Sequence, residues 1–342
     1  MTTSITRRDA HLVGSYPAPD ADAAMEQAVG TLGDDLRTLP DGETGPRFHW
    51  IIHIIEGLRT HPDLELQRDG DWSDYDRTPV FRERKGHRLT ADTLDLGYAR
   101  AFAESRPAFE RHGGGRAFQA GIPGDLDMAL FVLGPRGALR RRRPFTDATV
   151  REIRAIHAQA GDGVVFQLEL PIELVAVART PKPLQPVVAA LLARGVAQLA
   201  AQSPQGARFG VHLCLGDMNH RAFARMRDTA PLVALANAIV ARWPDGRPLE
   251  YLHAPFAAAE EPPPTAPRWY APLDGLRLRP GTRFIAGFAH EDQDLGEQRF
   301  VQELVERSLG GPVGVSTSCG LGRRTPEAAG RALERVRELA NG

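Results

Sequence analysis

Eight short runs of β-forming residues recur along the 342-residue chain, and amphipathic segments with helical periodicity separate most of them. Strands that alternate with helices form right-handed βαβ units, and hence a parallel sheet. Eight such units favour closure into an α/β (β/α)8 TIM barrel. An open doubly wound sheet is also disfavoured because no G-x-G-x-x-G follows the first run. The predicted strands are 11–17, 36–41, 117–123, 164–170, 209–215, 249–253, 283–289 and 313–318.

Two stretches interrupt this repeat, one after the second strand and one after the sixth. Residues 62–88 are polar, and residues 260–280 are rich in proline. Both leave from the carboxyl ends of strands, so each is expected either to lie over the barrel mouth or to decorate the surface. We predict one TIM-barrel domain over residues 1–342, with Asp20 and Thr325 capping helices.

The charge balance limits the classes of partner. With 42 Lys and Arg against 43 Asp and Glu, the formal net charge is -1, which gives no general attraction to nucleic acid or acidic membranes. The first residues lack the apolar run of a signal peptide, and no run approaches a membrane span, so we expect a cytoplasmic protein. In a reducing cytosol, two cysteines indicate burial, catalysis or metal ligation rather than a disulfide.

Three residues at the ends of predicted strands suggest a metal site. His212 and Cys214 are two apart on one strand, so both side chains point to the same side. Cys319 ends the last strand, and both strand ends open on the same barrel face. Imidazole and thiolate ligands select zinc over magnesium or calcium. The alternative is that the short motif arises by chance and the cysteines are small buried hydrophobes.

Several motifs carry a resemblance to a known family. The motifs are, in chain order, GSYP at 14–17, DGETGPR at 41–47, FQLELP at 166–171, VHLCLGD at 211–217 and STSCGLGRR at 316–324. With these motifs in this order, the chain resembles the catalytic barrel of cobalamin-independent methionine synthase, within the methionine synthase and uroporphyrinogen decarboxylase superfamily. It is more closely similar to single-barrel bacterial and fungal members of that superfamily.

The resemblance implies that His212, Cys214 and Cys319 bind Zn2+. The family's fourth ligand is a glutamate, whereas the sixth strand here offers Glu250 and His253. These two residues are three apart and should face opposite sides, and His253 at the strand end is the preferred ligand. Glu250 or the substrate itself are the alternatives. Histidine in place of glutamate makes the site less negative, which should make a bound thiol more acidic.

The resemblance also implies a substrate-binding set of Ser15, Asp41, Glu43 and Glu169. Glu43 and Glu169 are candidate acid–base residues, as is His290 after the seventh strand. Asp41 and Glu43 could equally cap the following helix, and His290 could be a solvated loop residue.

The function expected from these features is a zinc-dependent alkyl (methyl) transferase that activates a substrate thiol as the thiolate. Its partners are a small-molecule thiol and an alkyl donor, for which a folate is one candidate. One alternative is a metal-free uroporphyrinogen decarboxylase-like lyase, favoured only by the arginine run 140–143. The other is a non-catalytic barrel that binds zinc or a small ligand. The thiol, the donor and the oligomeric state stay open.

Overall fold

Seven parallel strands form one curled sheet in the computed structural model, which describes residues 7–342. Each strand pairs with the next parallel strand along the chain, as βαβ connections predict, and the order is β1-β4-β5-β6-β7-β8-β9. The sheet strands are β1 (Thr38–Pro40), β4 (Ala117–Pro123), β5 (Val164–Leu170), β6 (Arg208–Leu213), β7 (Leu249–Pro255), β8 (Arg283–Ala289) and β9 (Gly314–Thr317). They correspond to seven of the eight predicted runs.

The first predicted strand, 11–17, is wrong. In this region only Ala10 pairs with the sheet, through isolated parallel bridges to Leu36, just before β1, and to Val315 on β9. Beyond it, the carbonyl oxygen of Val13 accepts hydrogen bonds from the side chains of Gln119 at 2.9 Å and Gln167 at 2.5 Å. Because interior glutamines, rather than a neighbouring strand, satisfy this backbone, the segment leaves the sheet after one residue.

Helices follow most of the strands, and the two predicted caps are confirmed. The side chain of Asp20 accepts a hydrogen bond from the Ala23 backbone N–H, and Thr325 does the same for Ala328. The helices are α1 (Ala21–Leu32), α2 (Trp50–Gly57), α3 (Tyr98–His112), α4 (Asp125–Arg141), α5 (Arg143–Ala160), α6 (Pro171–Arg179), α7 (Gln185–Gln202), α8 (Ala230–Arg242), α9 (Pro267–Tyr270), α10 (Leu295–Leu309) and α11 (Pro326–Ala340).

The polar stretch 62–88 forms an antiparallel hairpin of β2 (Leu64–Arg68) and β3 (Val80–Glu83). The segment between these strands reaches the loop after β6. There the hydroxyl of Tyr75 accepts from the Met218 backbone N–H at 2.9 Å, and its ring stacks on Phe223 with centroids 4.3 Å apart. The hairpin therefore lies over the carboxyl end of β6.

The proline-rich stretch 260–280 is held by its own aromatic residues. The indole N–H of Trp269 donates to the Met226 carbonyl oxygen at 3.3 Å, and the Tyr270 hydroxyl donates to that of Pro264 at 2.7 Å. Both rings are buried. Their contacts fix this stretch against the end of the sheet.

One segment differs from the expectation about membrane spans. Lys182–Gln202 is long and apolar enough to cross a membrane by length and composition alone. In the structure, a third of its apolar window is buried, and α7 packs along α6 and α8. A helix that covers a sheet needs a similarly apolar face.

A buried acidic pair between α4 and α6 is expected to make stability depend on pH. Glu173 and Asp127 are both fully buried. Their carboxyl groups share a hydrogen bond, and Asp127 also accepts from the Ile172 N–H. Burial raises the pKa of Glu173 from its usual 4.5 to about 7, and burial and Glu173 together raise the pKa of Asp127 well above its usual value.

Between pH 4.5 and 7 the folded protein therefore binds more protons than the unfolded chain, and its stability falls as pH rises through this window. We expect Glu173→Gln, which needs no proton, to have a shallower decline in melting temperature from pH 5 to 7.5 than the wild type. Calorimetric scans across this range test the prediction. Equal slopes for the two proteins would contradict it.

Candidate metal and substrate site

Three adjacent strands present the central polar residues side by side. Glu169 on β5 is in register with His212 on β6, and His212 is in register with His253 on β7. Residues in register on neighbouring parallel strands point to the same face of a sheet. All three are thus brought together at the carboxyl ends of the strands, where predicted.

His212, Cys214 and Cys319 form a cluster that fits a zinc ion. The ligand atoms of the three buried side chains all lie within 4.8 Å of one another, and the two sulfur atoms are 3.6 Å apart. Two sulfurs that share one tetrahedral zinc lie roughly 3.8 Å apart, given Zn–S bonds of about 2.3 Å. The spacing and the donor types therefore suit zinc, with one coordination position left over.

Arg323 places a positive charge directly beside this cluster. Its guanidinium donates to Cys319 Sγ at 3.1 Å and to Ser15 Oγ at 3.0 Å, and it lies 3.5 Å from the carboxylate of Asp217. The pKa of Cys319 is lowered by the hydrogen bond from Cys214 and by this guanidinium, whereas the same sulfur contact and burial raise the pKa of Cys214. Cys319 is therefore the more acidic of the two thiols.

His253 lies beside the cluster, but both of its ring nitrogens have partners. Its Nδ1 lies 2.7 Å from Nδ1 of His212, and its Nε2 lies 2.9 Å from the carbonyl oxygen of Thr317. Nε2 of His212 is buried without a hydrogen-bond partner. Burial lowers the pKa of His253 to about 4 and that of His212 well below its usual value, so both rings are neutral near pH 7. Glu250 instead pairs with Arg208 at 2.8 Å.

A cavity of about 130 Å³ opens above the cluster. Polar groups line its floor, and apolar side chains, mostly aromatic, form its walls. The wall residues are Phe48, Trp50, Ile51, Ile52, Trp72, Tyr75, Phe131, Ile172, Met218 and Phe223. Trp72 and Tyr75 come from the segment between β2 and β3, so that hairpin covers the cavity.

Two carboxyl groups lie on the cavity floor, that of Glu43 buried and that of Glu169 partly buried. Glu43 and Glu169 both approach Gly121, where a Cβ atom would lie 2.5 Å and 3.2 Å from their respective Oε1 atoms. Oε1 of Glu43 has no hydrogen-bond partner, and Glu43 has a φ of 43°, a strained value for a residue with a side chain. Burial and the charge of Glu169 raise the pKa of Glu43 well above its usual range, and burial raises that of Glu169 to about 7.

The other two predicted substrate residues differ in position. Ser15 lines the same cavity. The carboxylate of Asp41 is occupied by Arg47 at 2.8 Å and by the Ser105 hydroxyl at 2.5 Å, and it also accepts from the Glu43 backbone N–H at 2.9 Å. Asp41 therefore orients Glu43 and has no free oxygen directed at a ligand.

Two predicted features lie away from the cavity. His290 is buried, with its ring nitrogens bonded to the Ala259 carbonyl oxygen at 3.1 Å and the Asp292 N–H at 3.2 Å, and it is not among the residues that line the cavity. The arginines of 140–143 do not line it either: Arg142 pairs with Asp125 at 2.7 Å at the junction of α4 and α5. The lyase alternative thereby loses the feature that favoured it.

Sequence reasoning missed Arg323 and Tyr75 as residues of the site. Arg323 stands four residues after Cys319 within the quoted motif STSCGLGRR, so its proximity to the cysteine could have been inferred. Tyr75 is one of the few aromatic residues in the polar stretch 62–88. No local pattern in the sequence indicates that it crosses the cavity.

Comparisons with known proteins bear on the fold. No protein-family model and no curated protein matches the chain. Among solved structures, it is similar to a B12-independent methionine synthase from Shewanella sp. W3-18-1 in complex with selenomethionine, at a TM-score of 0.63 and 12% identity over 98% of this chain and 97% of the other. It is also similar to a putative vitamin-B12-independent methionine synthase from Listeria monocytogenes, at a TM-score of 0.57 and 13% identity over 99% of this chain and 98% of the other. A third similar structure is a methyltransferase from Methanosarcina mazei, at a TM-score of 0.53 and 14% identity over 98% of this chain and 94% of the other. The chain therefore shares, over nearly its whole length, the fold of cobalamin-independent methionine synthase-like proteins.

Proposed function

We propose that the protein is a zinc-dependent transferase that moves a methyl or other alkyl group onto a substrate thiol. The observation that supports it most is the cluster of His212, Cys214 and Cys319 on the floor of this cavity. Three protein ligands and an open fourth position are typical of catalytic rather than structural zinc sites. Similarity to methionine synthases and a methyltransferase, one of them bound to selenomethionine, supports the same chemistry.

When bound here, zinc supplies a Lewis acid that lowers the pKa of a thiol in the fourth position. Residues of the chain provide a ligand atom and a compensating positive charge at this position. His212 offers a buried Nε2 that has no hydrogen-bond partner, and Arg323 donates to Cys319 Sγ, which offsets negative charge on the two sulfurs. The hairpin over the cavity limits access of water to the sulfur.

The carboxyl groups of Glu43 and Glu169 are proposed to hold an ammonium group of the thiol substrate. Neither is neutralised by an ion pair within hydrogen-bonding distance in the described chain, and both line the same cavity as Ser15. A bound ammonium would restore their ionised forms and satisfy Oε1 of Glu43. An aminothiol is therefore the substrate class that the floor fits.

The aromatic walls are proposed to receive the alkyl donor. Trp72, Tyr75 and Phe223 present flat apolar surfaces above the cluster, which suit the apolar body of a donor. A folate remains one candidate for this role.

Metal analysis tests the proposal. We expect about one zinc per chain in the wild type. EDTA should remove this zinc and abolish both alkyl transfer and thiol binding. The Cys214→Ser and Cys319→Ser variants should lack the zinc. His61→Gln is the control, because His61 is buried in the region of the β2–β3 hairpin and bonds only to nearby backbone groups. Equal zinc in all four proteins would rule out this site. Zinc binding without any binding of thiols would instead indicate a non-catalytic zinc protein.

A further inference from the structure

The hydrogen bonds of His253 fix which of its nitrogens carries the proton. A carbonyl oxygen can only accept, so the 2.9 Å contact with Thr317 requires a proton on Nε2 of His253. A neutral imidazole carries one proton, and Nδ1 of His253 is therefore an acceptor.

This assignment determines the state of His212. The two Nδ1 atoms lie 2.7 Å apart, and only one of them can donate in that contact. Because Nδ1 of His253 accepts, Nδ1 of His212 donates its proton, and its Nε2 keeps a free lone pair. That nitrogen is the buried atom without a hydrogen-bond partner, and His212 is the imidazole that lies with Cys214 and Cys319 in the cluster.

We propose that His253 is a positioning residue that holds His212 in its Nδ1–H tautomer, and that the fourth metal position is left to the substrate thiol. This inference rests on the proposed function. It replaces the prediction that His253 is itself the fourth ligand. To ligate a metal, His253 would have to give up a bond from one of its nitrogens, leaving either the His212 N–H or the Thr317 carbonyl unpartnered in the interior.

The neighbouring strand makes room for this arrangement. A Cβ atom on Gly287 of β8 would lie 2.9 Å from Nε2 of His253 and 2.8 Å from the carbonyl oxygen of Thr317. Any side chain there would push apart the two atoms that form the bond. Glycine at this position therefore permits the contact on which the tautomer depends.

The same bond also connects the two segments that carry the ligands. Thr317 ends β9 two residues before Cys319, and its hydroxyl donates to the carbonyl oxygen of Cys319 at 2.8 Å. His253 thus links His212 on β6 to the turn that presents Cys319. Loss of His253 is expected to disturb both the orientation of the imidazole and the placement of the second sulfur.

Substitution of His253 by alanine and by glutamine tests the inference. Glutamine can accept from His212 through Oε1 and donate to Thr317 through its amide, but it is a poor zinc ligand. We expect His253→Ala to weaken zinc binding by about 10- to 100-fold, measured by competition with a chelator, and His253→Gln to stay within a few fold of wild type. The control is His61→Gln, since His61 also bonds a carbonyl oxygen through Nε2 at 2.9 Å and accepts from a backbone N–H through Nδ1.

Two spectroscopic measurements separate a positioning role from ligation. In the metal-free wild type, nitrogen-15 NMR should show the Nδ1–H tautomer of His212, and His253→Ala should lose that preference. X-ray absorption of the zinc-loaded wild type should show two sulfurs and one imidazole, with a third sulfur added by homocysteine. Two imidazoles at the metal, the other tautomer of His212, or equal zinc loss in the alanine and glutamine variants would overturn the inference. Two imidazoles at the metal, or the other tautomer of His212, would contradict the role of His253 but not the proposed function. A wild type that binds no zinc would contradict the proposed function, and the tautomer of His212 would then be the only part of the inference still tested.

Discussion

Glu169→Gln is expected to weaken binding of an aminothiol to the zinc-loaded protein by about 10- to 100-fold, because a buried hydrogen bond to a charged group contributes about 1.5–3 kcal/mol. A thiol without an amino group should bind equally well to both proteins. Calorimetric titration with homocysteine and with 4-mercaptobutanoate makes this comparison, since the two probes differ at the position where the ammonium group would meet Glu43 and Glu169.

The same pair of ligands reveals the ionisation of Glu169. Its pKa in the free protein is raised to about 7 by burial, so the carboxylate that attracts an ammonium becomes fully populated only above that pH. The preference for homocysteine over 4-mercaptobutanoate should therefore rise from pH 5.5 to 7 in the wild type and stay flatter in Glu169→Gln. An equal loss for both ligands would show that Glu169 acts on the thiol or the metal and not on the amine.

Arg323→Met is expected to reduce the free energy of unfolding by about 3–5 kcal/mol, the usual cost of removing one member of a buried ion pair. Asp217 is fully buried, and neither of its carboxylate oxygens has a hydrogen-bond partner. Its charge is offset by Arg323 at 3.5 Å and by Arg324 at 3.9 Å. Removal of Arg323 leaves that carboxylate with the more distant partner alone.

Urea denaturation of a double-mutant cycle measures this effect. If the two charges compensate each other, Arg323→Met combined with Asp217→Asn should cost less than the sum of the two single substitutions. The exposed Arg299 provides the matched control, because Arg299→Met should change stability by no more than about 0.5 kcal/mol. Additive losses in the cycle would show that Arg323 stabilises the protein through Cys319 and Ser15 rather than through Asp217.

The strands were predictable because their signal is local. The runs 117–123, 164–170 and 283–289 have the bounds of β4, β5 and β8, since each is a predominantly apolar stretch that ends in Pro, Leu or Ala before a turn or helix. The run 11–17 has similar composition and is not a strand. Its carbonyl groups bond to glutamines that are distant in sequence, and no local pattern contains that information.

In the candidate site, too, local patterns predicted some features, whereas others depend on contacts between residues distant in sequence. The two-residue spacing of His212 and Cys214 was enough to place both together at the carboxyl end of β6, and the position of Cys319 after another strand was enough to bring it near. Residue type could not reveal that both nitrogens of His253 already have partners, nor that Asp41 is occupied by Arg47. Those outcomes depend on hydrogen bonds between elements, which only the folded chain specifies.

The wide separation of the two ligand-bearing segments has a consequence for chain entropy. Cys214 and Cys319 are 105 residues apart. An ion shared between them would close a long loop, as a disulfide does, and in the chain-entropy model a closed loop of about 100 residues destabilises the unfolded state by roughly 4.7 kcal/mol. A metal ion should then be bound by both cysteines only after β6 and β9 have come together, and its removal should accelerate unfolding.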